Sequence, residues 1–157
     1  MTAIAEHVLD ITRDLFAALV DGEPGHVTEW SGDGVALTDP VHAWVDIRGE
    51  HALRATVTTD RGTADRIARA LLAMTPGETV AREDAQDALG EMANVIGGNL
   101  KGLMSASAVL SVPAVASGAV RPPGDPEWER RLGWRDQPLV ISMWQLDPDT
   151  GGKGQTQ

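Results

Sequence analysis

Asp87, Glu91 and Asn94 share one helical row in the stretch Asp87-Ala-Leu-Gly-Glu91-Met-Ala-Asn94, because residues at i, i+4 and i+7 project from the same face of an α-helix. Ala85, Leu89, Met92, Ile96, Leu100 and Leu103 form an apolar stripe roughly opposite. Carboxylates and a carboxamide are thus presented jointly to solvent. An ionised carboxylate only accepts hydrogen bonds, whereas an asparagine amide both donates and accepts, and so can hold and orient a water molecule. The same pattern also suits a plain solvated face.

Glycines set this helix apart from an ordinary surface element. Gly90, Gly97, Gly98 and Gly102 together cost about 3–4 kcal/mol against alanine in a helix interior. Gly98 falls on the side of Glu91 and Asn94, one turn further on, where a missing side chain lets another molecule approach. Gly97 and Gly102 flank that side. Close packing against the protein's own sheet or a second subunit also calls for small residues, and for any single glycine that is the favoured explanation.

The helix belongs to a chain of 157 residues, the size of one domain, which buries about two-thirds of its unfolded surface without staples. The expected organisation is a single domain over 1–148 and a disordered glycine-rich tail over 149–157. With no cysteine, neither a disulfide nor a thiolate zinc site exists, which suits a reducing cytoplasm. Neither a secretory leader nor a membrane span is expected, since Met1–Val20 is interrupted by Glu6, Asp10, Arg13 and Asp14. The net charge of −10, with no basic cluster, argues against nucleic acid and anionic membranes as partners. His7, His26, His42 and His51 show no helical pairing with a carboxylate, so each reads as a surface or half-buried residue rather than a metal ligand.

Ile4, Val8, Ile11, Leu15 and Leu19 predict a first helix over most of residues 3–20, ended by Asp21-Gly-Glu-Pro-Gly25. Between Val27 and Thr59 the β-branched runs predict an antiparallel meander of about three strands. Thr63 is the expected cap of a second helix, buried through Ile67, Ala68, Leu71 and Met74 and stopped at Thr75-Pro-Gly77. In the glycine-rich helix that follows, Glu83 and Asp84 occupy the first turn and Lys101 the last, the signs that suit the helix dipole. Ala108–Pro113 and Leu139–Trp144 read as strands, with residues 121–138 a long connection containing Trp128 and Trp134. Trp44 and Trp144 are expected to anchor the sheet, and Asn99 is expected to be a structural hydrogen-bonding residue near the apolar face. This order of elements predicts an α+β fold: a mainly antiparallel sheet with helices packed on one face.

The string from Asp87 to Gly102, with the following Leu110-Ser-Val-Pro113, resembles the CheC/CheX family of chemotaxis phosphatases, and the order of elements over most of the chain is similar to that family's. Its signature is Asp or Ser, three residues, Glu, two residues, Asn, positions filled here by Asp87, Glu91 and Asn94. The family pattern places a proline some twenty-odd residues after the asparagine, and Pro113 comes slightly sooner. CheC-type members carry two copies of the motif. His7–Leu19 offers no Glu-x-x-Asn, so the single copy resembles the CheX branch, whose members form homodimers through their sheets.

The resemblance implies hydrolysis of the aspartyl phosphate on a CheY-like response-regulator receiver domain, in chemotaxis or related two-component signalling in the cytoplasm. It implies Glu91 and Asn94 as the catalytic pair, Asn94 positioning the attacking water and Glu91 docking to a receiver lysine. Asp87, Gly98 and Lys101 belong to the partner-binding surface. The chain itself needs no cofactor, because the receiver brings its own Mg2+ beside the phosphorylated aspartate. The alternative is a non-catalytic module that holds a receiver with the same helix. A third reading is a structural subunit whose glycine-rich helix packs inside an assembly. A serine or cysteine hydrolase is disfavoured, since the chain has neither a nucleophile elbow nor a thiol.

Overall fold

The computed structural model describes residues 2–104, 107–118 and 124–146. The chain opens with α1 (Thr2–Ala5), α2 (Val8–Phe16) and a π-helical turn (Ala17–Asp21), followed by β1 (Val27–Glu29), β2 (Pro40–Arg48) and β3 (Ala52–Asp60). Two helices follow, α3 (Arg61–Leu71) and α4 (Arg82–Met104), then β4 (Val109–Leu110), β5 (Ala114–Ser117), β6 (Trp128–Trp134) and β7 (Gln137–Gln145). All strand pairs are antiparallel, in the order β1-β6-β7-β3-β2-β4, with β5 also pairing with β2. The expected α+β architecture is therefore present.

Period-two alternation divides the sheet into two faces. Val41, Ala43, Val45 and Ile47 of β2, Leu53, Ala55 and Val57 of β3 and Leu139, Ile141 and Met143 of β7 are buried in the core. This face receives α4, whose Ala85, Leu89, Met92, Ile96 and Leu100 are buried as the apolar stripe requires. Leu103, at the end of that stripe, is instead exposed. On the opposite face Asp46 accepts from Arg54 at 2.7 and 3.2 Å, and the Arg54 guanidinium lies 5.3 Å from the centre of the Trp44 ring. Trp144 is buried as expected, whereas Trp44 is only half-buried. His42, expected at or near the surface, is buried beside Thr58, 2.8 Å away.

Several expected boundaries move. The first helix is interrupted at Glu6-His7 and ends in the π-helical turn, whose Asp21 carboxylate accepts from Trp134 Nε1 at 3.1 Å and from Arg135 Nε at 3.0 Å. The strands after it are not a meander, because β1 crosses to pair with β6 while only β2 and β3 form a hairpin. Thr63 does not cap its helix; Asp60 holds the cap position, and Thr63 is buried inside the first turn. Within residues 121–138, the stretch read as a connection contains β6, with Trp128 and Trp134 buried in it. Residues 105–106, 119–123 and the expected tail 149–157 lie outside the described residues.

Candidate functional site

The site is built on α4, a helix of 23 residues, about 34 Å long at 1.5 Å per residue. Its first turn carries Glu83 and Asp84 and its last Lys101. Burial of the apolar stripe against β2 and β3 fixes the helix's rotation. That rotation leaves Asp87 and Glu91 exposed and Asn94 and Gly98 half-buried along a single outward row. Lys101 is half-buried and lies two turns beyond Asn94 on the same flank. Among the described residues, no side-chain hydrogen bond or ion pair engages Asp87, Glu91 or Asn94. All five residues singled out from the sequence thus lie on one side of one helix.

The glycines separate into two kinds. At Gly97 an added Cβ would sit 2.3 Å from Val45 Cγ2, so this glycine lets α4 settle onto β2. At Gly90 it would meet Pro113 and Val115 side chains at 3.5 Å, an ordinary contact. Gly98 would meet only Leu110 Cδ2, at 3.9 Å, and Gly102 nothing within 4 Å. Internal packing accounts for Gly97. It does not account for Gly98 or Gly102, which leave bare backbone beside the polar row. Asn99 is exposed rather than near the apolar face, and its Nδ2 donates to Val95 O one turn back at 2.8 Å.

Pro113 packs against α4 at Gly90, the residue that immediately precedes Glu91. The early proline of the motif therefore stands beside the motif helix. The sequence did not reveal what precedes it: between the pairs Ile47↔Leu110 and Trp44↔Ala114, β2 has Val45 and Asp46 while the edge strand has Ser111, Val112 and Pro113. The extra residue is a β-bulge. Its signal lies in the pairing register, which no local pattern prints.

The model of the chemotaxis phosphatase CheX family matches residues 41–122, more than half of the chain and the whole of α4. The chain belongs to this family. Solved structures agree on the fold. The chain superimposes on chemotaxis protein CheX from Vibrio vulnificus with a TM-score of 0.69 at 18% identity, covering 92% of this chain and 99% of that one. CheX from Desulfovibrio desulfuricans gives 0.67 at 18% identity, with coverage of 92% and 99%. The CheX–CheY–BeF3–Mg2+ complex from Borrelia burgdorferi gives 0.66 at 14% identity, covering 91% and 97%. No curated protein sequence matches this CheX-family chain. Among the described residues, no group of three or more potential ligands could hold a metal ion, and no helix is long and apolar enough to cross a membrane.

Proposed function

We propose that this CheX-family protein hydrolyses the aspartyl phosphate of a CheY-like response-regulator receiver domain, with Glu91 and Asn94 as the groups that act on it. The observation that carries the reading is the outward row on α4. A carboxylate and a carboxamide one turn apart are left unengaged by the fold and are flanked by Gly98, whose missing side chain internal packing does not demand. The family match and the CheY complex of the Borrelia burgdorferi relative support a receiver as the partner.

The reaction needs little from the chain beyond position and charge. A water oxygen attacks phosphorus in line, the bond from phosphorus to the receiver's aspartyl oxygen breaks, and the carboxylate leaves with the bonding pair. Inorganic phosphate takes up the water oxygen, and the water's protons pass to the phosphate oxygens and solvent. The Asn94 carboxamide orients that water through its N–H and C=O groups. Glu91 pairs with a receiver lysine, docking the helix and withdrawing that cation from the phosphoryl group. Asp87 and Lys101 extend the contact along the row, and Gly98 admits the receiver's backbone. The receiver's own Mg2+ supplies charge compensation at the phosphoryl oxygens. The reading includes cytoplasmic action and a homodimer through the sheets, which sedimentation of the wild-type protein tests.

The deciding experiment follows the decay of phosphoryl label on candidate receivers with wild-type protein, with Asn94→Ala and with neither added. Faster decay with wild type alone is the expected result. Equal decay in all three, with binding retained, would make α4 a recognition surface without catalysis.

A further inference from the structure

Val112 is 84% exposed, the most exposed large apolar residue among those described. The bulge puts it there. Ser111 N donates to Asp46 O at 2.9 Å, and the Asp46 N–H donates back at 2.8 Å to the Ser111 hydroxyl rather than to a carbonyl. Ser111 Oγ in turn donates to Val112 O at 3.1 Å. Pro113 follows with no N–H to offer the ladder, and regular pairing resumes only at Ala114. Both flanks of this bulge are fixed to α4: Leu110 reaches Gly97 and Gly98, and Pro113 reaches Gly90. The bulge therefore runs alongside the part of α4 that carries Glu91 and Asn94.

We infer that the Ser111–Val112–Pro113 bulge is the second wall of the receiver-docking surface, with Val112 as its apolar contact and Ser111 as the residue that positions it. This rests on the proposed receiver reading. A receiver seated on the polar row meets acidic groups from Glu83, Asp87 and Glu91 on one side and the valine on the other, the polar and apolar mixture of a transient protein interface. A second copy of the chain adding a strand at this edge is disfavoured, since a bulge and a proline both spoil an edge for pairing.

The test is a titration of wild type, Val112→Asp, Ser111→Ala and Ser111→Thr against the receiver whose phosphoryl label the wild-type protein clears fastest. It reads the half-saturating concentration and the limiting rate separately, with beryllofluoride-activated receiver for direct affinity and thermal unfolding as the check on folding. Val112→Asp should raise the half-saturating concentration about tenfold or more, the scale of losing a central contact residue, with the limiting rate within about twofold. Ser111→Ala should move the same quantity less, and Ser111→Thr should restore it. An unchanged half-saturation in Val112→Asp overturns the inference while leaving the phosphatase reading intact. A change in sedimentation without a change in receiver affinity overturns it in favour of a contact between copies. If the wild-type protein neither binds nor clears any receiver, the phosphatase reading fails first and the inference with it.

Discussion

Asn94 and Glu91 are held differently by the same helix. Glu91 is exposed, while Asn94 is half-buried, one turn after Gly90 and one turn before Gly97 and Gly98 on the flank that meets β2 and the bulge. A half-buried carboxamide has less room to reorient than an exposed one before a partner arrives, which suits a group proposed to orient a water molecule. A carboxylate free to swing suits a group that searches for a cation. Neither side chain stabilises the fold through a hydrogen bond, so Glu91→Ala and Asn94→Ala should each change unfolding free energy by within about 1 kcal/mol, as read by urea denaturation. Phosphoryl clearance by Asn94→Ala should nevertheless fall about a hundredfold or more. Glu91→Ala should chiefly raise the receiver concentration needed for half-maximal rate, because the role proposed for it is docking.

At the scale of the elements, the adjacent glycines of α4 give opposed expectations. Gly97→Ala forces a methyl to within 2.3 Å of Val45 Cγ2 and should destabilise by about 1–3 kcal/mol, as overpacking does. Gly98→Ala meets only Leu110 at 3.9 Å and should stabilise by up to about 1 kcal/mol through helix propensity, yet weaken receiver affinity. Thermal unfolding and the affinity titration together separate the two. This helix was legible in the sequence because its stripe and its polar row share the helical period and its end turns carry charges matched to the dipole. The strand β6 was not, because Arg130 points to the helix face, where it donates to Ala5 O and pairs with Glu29, breaking the apolar alternation. The turn after it runs through Arg135 and Asp136 at φ 48° and 68°, left-handed positions without the glycine or asparagine that announces a hairpin. The bulge was illegible for a different reason: it is a mismatch between β2 and its neighbours, and exists only once the register is set.

Across the whole molecule, one buried carboxylate joins the Arg130–Ala5 hydrogen bond in tying the N-terminal segment to the far hairpin. Asp21 is 3% exposed at its side chain and accepts from the buried Trp134 indole and from Arg135, while the Trp134 and Phe16 rings meet in a tilted contact, 5.3 Å between centroids and 52° between planes. Asp21→Ala strands the indole N–H and should cost about 1–3 kcal/mol. Arg135→Ala removes only the exposed partner and should cost about 1 kcal/mol or less. Both are measured by urea unfolding, and both should leave phosphoryl clearance unchanged at temperatures where the variants are folded, since this clamp does not belong to the α4 row. Helices confined to one face of the sheet hold that row outward on a rigid support, so catalysis is expected only in the complex of two proteins. The most direct measurement is the single-turnover lifetime of the receiver phosphoryl group at saturating Asn94→Ala, alongside the affinity of the same variant for beryllofluoride-activated receiver. The account predicts a lifetime close to that of the receiver alone and an affinity within about threefold of wild type, the split that marks an interaction made only in the transition state. Clearance as fast as wild type at that saturation would contradict it.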